Sequence, residues 1–264
     1  MQPLSALAAD VRRQIRGLFF DIDDTLTTDG RLTAQAYAAM ERLQQAGRIV
    51  VPITGRPAGW CDHIARMWPV DAVVGENGAF YFRYDRNTRK MYKRFLHSDQ
   101  ERAENRRRLQ ALREKILAEV PGAGVSSDQL YREADLAIDY REDVPRLPQA
   151  DVERIIKIFE DAGATAKMSS IHVNGWFGNY DKLTMTRVMM REVFDIDLDA
   201  QRREFIFVGD SPNDAPSFAY FPLAVGVANI REFTGRLKSE PAYVTERPSG
   251  AGFAEVVSAL LSAE

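Results

Sequence analysis

Cysteine is almost missing from this chain: Cys61 is the single one in 264 residues. No internal disulfide can form, and the composition suits a reducing compartment. No histidine and acid accompany Cys61 in the sequence, so it reads as a small buried filler rather than a nucleophile. Histidine is scarce as well, and His63, His97 and His172 are read as structural or solvent-facing. Long apolar runs are also lacking. Met1 to Arg16 is broken by Asp10, Arg12 and Arg13, which does not make a signal peptide, and no run approaches the ~20 residues of a membrane span. The expectation is a cytoplasmic protein with no membrane partner. A dominant charge is absent too: 35 basic and 38 acidic side chains leave a net charge of −3, which gives no basic field for nucleic acid. The Arg106-Arg107-Arg108 run is flanked by Glu101, Glu104 and Glu114 and reads as a solvated helix face. There is no internal repeat and no Gly/Ser-rich linker. Apolar content of 45% and charged content of 28% are ordinary for a globular chain, so disorder is excluded.

What is present centres on Gly17-Leu18-Phe19-Phe20-Asp21-Ile22-Asp23-Asp24-Thr25-Leu26-Thr27. The apolar start reads as a strand buried on both sides. Three carboxylates follow within four positions, where burial without partners would be costly. Two readings fit. The acids point at a cation, with one of Asp21 and Asp23 offering a side-chain oxygen and the other a backbone carbonyl, or they form a turn that caps the next helix through Thr25 or Asp29.

Strands and helices then alternate. Thr33 to Ala46 has helical spacing in Ala36, Ala39, Met40 and Leu43 and stops at Gly47. Strands are expected at Arg48 to Thr54 and Asp71 to Gly75, with a helix around Trp60 to Trp68 between them. Glu76-Asn77-Gly78 reads as a turn, and Ala79 to Tyr84 with Lys90 to Phe95 as a hairpin. The texture changes after that. A long charged helix from Asp99 to Val120 carries a stripe of Leu109, Leu112, Ile116 and Leu117. Strands near Gln129 to Arg132 and at Asp135 to Tyr140, a helix from Pro148 to Ala162, strands at 164–168 and 170–173, and a turn at Asn174-Gly175 follow. This αββαββ module is read as an insertion. The first pattern resumes with a helix opening at Asp181-Lys182, strands at Arg203 to Val208, Leu223 to Val227 and Tyr243-Val244, and a helix from Gly252 to Ser262. The expected fold is α/β: a Rossmann-like doubly wound parallel sheet with an inserted α+β cap domain.

Polar groups gather where the strands end, in order Asp21/Asp23, Thr54-Gly55, Lys182 at a helix start, and Asp210 with Asn213/Asp214. Phosphoryl transfer needs such parts: a carboxylate nucleophile, an acid/base, donors for phosphoryl oxygens, a fixed cation and acids for a divalent metal. Each alone is weak, since Lys182 by itself would be a surface lysine and Thr54-Gly55 a helix cap. All four in this order are not.

Asp21-Ile22-Asp23-Asp24-Thr25-Leu26, Ile53-Thr54-Gly55-Arg56, Lys182 and Gly209-Asp210-Ser211-Pro212-Asn213-Asp214 resemble the four motifs of the haloacid dehalogenase superfamily of phosphatases. The place and content of the insertion, and Glu76-Asn77-Gly78-Ala79 before it, are similar to the type IIB branch. That branch includes sucrose-phosphate, trehalose-phosphate and mannosyl-phosphoglycerate phosphatases, broad-range sugar phosphatases and eukaryotic phosphomannomutase. The resemblance implies a core at 1–96 and 175–264 and a specificity cap at 97–174. It implies that Asp21 attacks phosphorus and that Asp23 protonates the leaving oxygen and later activates water. Thr54 and the Gly55 amide would hold phosphoryl oxygens, and Lys182 would neutralise nucleophile and phosphate. Asn213 would touch the phosphate or buttress its loop. Mg2+ would sit on Asp21, the Asp23 carbonyl and Asp210, with Asp214 orienting it directly or through water. The acid at Asp23 favours phosphate esters. Leu183, where many relatives have glycine, stands against carrying over a narrow substrate label.

The expected partner is a small-molecule phosphate ester, foremost a sugar phosphate, met by a monomer or homodimer. Trp176 and Tyr180 would stack on a sugar ring or pack a cap–core hinge, and Arg56 would reach substrate or brace its turn. A phosphomutase using the same Asp21 and Asp23, and an inactive phosphate-binding regulator, are the alternatives.

Overall fold

A computed structural model describes residues 1–169 and 171–262. In chain order its strands are β1 (Gln2–Pro3), β2 (Gly17–Phe20), β3 (Ile49–Pro52), β4 (Val73–Gly75), β5 (Phe80–Asp85), β6 (Lys90–Phe95), β7 (Gly124–Val125), β8 (Asp135–Asp139), β9 (Thr165–Met168), β10 (His172–Trp176), β11 (Phe205–Gly209), β12 (Val225–Gly226) and β13 (Tyr243–Val244). The α-helices are α1 (Ala9–Arg13), α2 (Ala34–Gln45), α3 (Ala58–Met67), α4 (Asp99–Glu119), α5 (Gln149–Asp161), α6 (Lys182–Phe194), α7 (Leu198–Gln201), α8 (Ala215–Tyr220) and α9 (Ser249–Leu261).

The central sheet is parallel throughout, in the order β1-β13-β12-β11-β2-β3. A further parallel bridge, Ile53 to Val74, joins it to the antiparallel β4-β5-β6 sheet. The unbroken apolar runs follow from burial on both faces, because successive side chains alternate between them. Leu18 and Phe20 of β2 and Ile206 and Val208 of β11 face one core, with Met40, Leu43, Phe253 and Val257 from α2 and α9. Phe19, Phe205 and Phe207 face the other, against Met185, Met189 and Phe218 from α6 and α8. Helices therefore cover both faces, as a doubly wound sheet requires. The four apolar positions expected for α2 are all buried, and Gly47 closes the helix at φ +70°. Among the described residues no helix is long and apolar enough to cross a membrane.

The inserted segment makes its own antiparallel sheet, β7-β8-β10-β9, backed by α4 and α5 over a third apolar cluster. A capping box of Ser98 and Glu101 starts α4, and Leu109, Leu112 and Ile116 face inward. Leu117, expected on the same stripe, is exposed. Two further expectations are corrected. Gln129–Tyr131 is a 3-10 turn, and the strand sits earlier, at β7. The Gln129, Tyr131 and Arg132 amides donate within that turn, to Ser126, Asp128 and Gln129, rather than to a ladder. Asn174-Gly175 is no turn but the middle of β10, paired with Ala137 and Leu136. Glycine stands there because a Cβ would overlap the Phe159 ring. The strand expected over 170–173 begins at His172, and Ser170 lies outside the described residues.

Gly175→Ala is therefore expected to overpack the cap core and lower stability by about 1–3 kcal/mol. A urea titration checks this. An unchanged midpoint would show that Phe159 does not close on this position.

Candidate active site

The parallel register levels three strand ends. Phe20 lies opposite both Pro52 and Val208, so β2, β3 and β11 release their next residues at one edge, where open α/β sheets bind ligands. Asp21 leaves β2 with its amide donating to the Val208 carbonyl, 3.0 Å. Lys182 arrives from the first position of α6. The Asp181 carboxylate caps that helix by accepting from the Thr184 amide at 2.7 Å and hydroxyl at 2.8 Å. The turn after β4 fixes where α6 begins. Gly78, at φ +106°, packs on the Asp181 carbonyl so closely that no Cβ would fit.

The Lys182 ammonium lies 2.7 Å from Asp21 Oδ1 and 3.6 Å from Asp214 Oδ1. Asp210 accepts from the Thr25 hydroxyl at 2.8 Å, and Asp214 Oδ2 accepts from the Asp210 amide at 3.1 Å. Carboxylate oxygens of Asp21, Asp210 and Asp214 all lie within 4.8 Å of one another. Four expected site residues thus converge, and Lys182 is no surface lysine. The helix-capping alternative for the acidic turn is not realised: Thr33, not Thr25 or Asp29, caps α2.

The other expected residues stand around this centre. Asp23 is held by Arg56, whose Nη2 lies 2.6 Å from Oδ1 and whose Nε donates to both oxygens at 3.1 Å. Arg56 also stacks 4.5 Å above Trp60. Thr54 is buried, its hydroxyl accepting from the Arg56 amide at 3.0 Å, and Gly55 follows at the turn. The Asn213 amide donates to the Met168 carbonyl of β9 at 3.1 Å, bridging the loop after β11 to the cap. Trp176 and Tyr180 are buried and stacked at 5.8 Å, so they pack the cap–core junction and do not face the cavity. That cavity, of about 860 Å³, has Asp21, Lys182 and Asp210 on its floor and β9 and the loop after β8 over it.

Sequence reasoning missed the roles of Glu76 and Arg132. Glu76 is fully buried at φ +41° and accepts backbone N–H groups from Ala58, Glu133, Ala134 and Asp135. Arg132 forks between Asp128 and Asp135 and donates to the Gly55 carbonyl at 3.2 Å. Both bind the Thr54–Ala58 turn to the cap. No local signal marks them, since the partners of Glu76 are 18 and 57 or more positions away.

Residues 18–114 match the model of the haloacid dehalogenase-like hydrolase family. That match runs from β2 into α4 of the insertion. No curated protein matches it. Among solved structures, a Thermoplasma acidophilum protein superposes with a TM-score of 0.71 at 18% identity, over 94% of this chain and 98% of its own. Sucrose-phosphatase from Synechocystis, solved with sucrose and phosphate, gives 0.66 at 16%, over 94% and 98%. A haloacid dehalogenase-like hydrolase from Bacteroides thetaiotaomicron gives 0.66 at 14%, over 92% and 98%.

The acids of this site are electrostatically unbalanced. Burial raises Asp21 to about 7 against the pull of Lys182, with Asp214 and Asp23 adding to it. Burial, Asp214 and Asp21 raise Asp210 to about 9. Burial alone would lower Lys182, but Asp21 and Asp214 outweigh it and hold the ammonium charged. Asp214 Oδ1 is buried with no hydrogen-bond partner among the described residues. Hard carboxylate oxygens, one of them unsatisfied, fit a divalent cation.

A carboxyl whose folded pKa is raised binds more protons folded than unfolded, so its contribution to stability falls as pH climbs from the unfolded value toward the folded one. The metal-free protein is thus expected to lose stability as pH rises from 3.8 through about 7 to about 9. A divalent cation such as Mg2+ should raise the melting temperature more at about pH 8 than at about pH 5. Thermal melts with Mg2+ and with EDTA check this, and an equal shift at both pH values would contradict it.

Proposed function

We propose that this protein is a Mg2+-dependent phosphatase that hydrolyses a small phosphorylated metabolite, foremost a sugar phosphate, through a phosphoaspartate on Asp21. The observation that carries this reading is the Asp21 carboxylate at a strand end. It is paired with Lys182, faces a cavity large enough for a small metabolite, and sits beside Asp210 and Asp214. The likeness of the fold to sucrose-phosphatase supports the substrate class.

In this reading an Asp21 oxygen attacks phosphorus while the bond to the leaving oxygen breaks, and Asp23 gives that oxygen its proton. Asp23 then takes a proton from water as the water attacks the phosphoaspartate, which releases inorganic phosphate and restores the Asp21 carboxylate. Arg56 holds Asp23 in place through both steps. The Thr54 hydroxyl and Gly55 amide donate to phosphoryl oxygens, and Lys182 offsets the charge that nucleophile and phosphate bring together. Asp21, the Asp23 backbone carbonyl and Asp210 would hold Mg2+, with Asp214 beside it, and the cation supplies further neutralisation of phosphoryl charge. The inserted sheet, over this centre, would select the leaving group.

The test is phosphate release from a panel of phosphorylated sugars and sugar acids, with Mg2+ and with EDTA. Asp21→Asn should lower release by roughly a thousandfold or more, and EDTA should abolish it. An isomerised ester without free phosphate would replace the reading with a phosphomutase. No turnover of any ester would point to the phosphate-binding regulator.

A further inference from the structure

The charges lining the cavity divide by height. On the floor, each cation has an acid: Lys182 meets Asp21 and Arg56 meets Asp23. Above, β9 and the loop after β8 bring Lys167, Arg141 and Arg146 to the lining. The one acid there, Glu142, lies 2.8 Å from His172. Among the described residues, none of Lys167, Arg141 and Arg146 has an ion pair.

Lys167 is the informative one, because it is partly buried while the two arginines are exposed at the rim. It stands opposite Asn174 in the cap sheet. The next residue, Met168, is fixed to Asn213, which holds this end of β9 over the loop after β11. The Lys167 ammonium lies 6.0 Å from the Trp176 ring centroid. It lines the same cavity as Asp181 and Lys182, and burial, with Lys182 adding to it, depresses its pKa against the pull of Asp181 and Asp214. A partly buried ammonium without a counter-ion is unfavourable unless a ligand brings one.

We propose that the roof of the cavity is an anion subsite. The ester this enzyme takes carries a second negative group, a carboxylate or another phosphate, on the part that leaves, and Lys167 binds that group. Arg141 and Arg146 at the rim add attraction for the same charge. The inference rests on the phosphatase reading and narrows its substrate class from phosphate esters generally to doubly anionic ones.

The test uses Mg2+-dependent hydrolysis of p-nitrophenyl phosphate as the reporter. Three competing esters of similar size are titrated against it: glucose 6-phosphate, 6-phosphogluconate and glucose 1,6-bisphosphate. One or both of the doubly anionic competitors should act at a concentration about tenfold or more below glucose 6-phosphate, and which of them does so separates carboxylate from phosphate. Lys167→Met should collapse that ratio toward one, and Lys167→Arg should keep most of it. Equal inhibition by all three in the wild type overturns the proposal. So does a ratio that survives in Lys167→Met, since Lys167 would then be structural or bound to the transferring phosphoryl group. If Mg2+ elicits no hydrolysis of p-nitrophenyl phosphate at all, the phosphatase reading fails first and this inference falls with it.

Discussion

One ammonium answers for three buried carboxylates. Lys182 touches Asp21 and sits beside Asp214, while the Asp210 carboxylate accepts, among the described residues, from the neutral Thr25 hydroxyl and Asn229 amide. At separations of this size, charges withdrawn from water interact strongly, and one lysine cannot cancel three acids. The rest of the core serves this cluster. The register of β2 with β3 and β11 brings the strand ends level, and buried phenylalanines on both faces hold that register, because a slip by one residue would turn each of them to the wrong side. The turn after β4 and the Asp181 cap determine where α6 starts, and therefore where the ammonium lies. The remaining negative charge is of the kind a divalent cation would offset.

A second buried charge system joins the two sheets. A carboxylate that accepts several backbone N–H groups replaces lost hydration with fixed dipoles, and Glu76 does so with donors from both α3 and the cap. Arg132 answers from the cap side, spending its planar fork on two aspartates and its remaining reach on the Gly55 carbonyl. The Thr54–Ala58 turn is therefore gripped from below by its own strand and from above by the inserted segment. Displacing the cap would strip Glu76 of the Glu133, Ala134 and Asp135 amides and cost Arg132 its bond to the Gly55 carbonyl, at high cost in a low-dielectric interior. Cap seating and the shape of the Gly55 turn are thus parts of one arrangement.

The legible features of the sequence were those with a local cause. Asp21, Thr54 and Asp210 each end a buried apolar strand, and Lys182 follows a helix-capping aspartate, so a reader of short windows can find them. The αββαββ texture of the insertion was visible in the same way. The features that escaped depend on distant partners. Gly175 looks like a turn residue until the Phe159 ring that needs its missing side chain is in view. Gln129–Tyr131 reads as a strand, but it is a 3-10 turn, and Arg132 after it is held by buried ion pairs. Glu76 looked like one residue of a turn, because its donors come from elsewhere in the chain. Trp176 and Tyr180 suited a sugar platform as well as a hinge, and only their burial against one another decides for the hinge.

Floor and roof of the cavity also differ in how firmly the fold specifies them. On the floor, Asp21 and Asp210 follow strands of a parallel sheet that have neighbours on both sides, and Lys182 opens α6. The roof comes from β9, an edge strand with a partner on one side only, and from the loop after β8. An edge strand is free to shift unless something outside its sheet pins it. Here the Asn213 side chain does so through the Met168 carbonyl, from the same loop that carries Asp210 and Asp214. A residue grouped by its motif with the phosphate-binding parts thereby sets the height of the roof above the nucleophile. The loop that bears two of the three clustered acids is thus bonded to the strand that carries Lys167, so the acid cluster and the inserted sheet share one hydrogen-bonded joint.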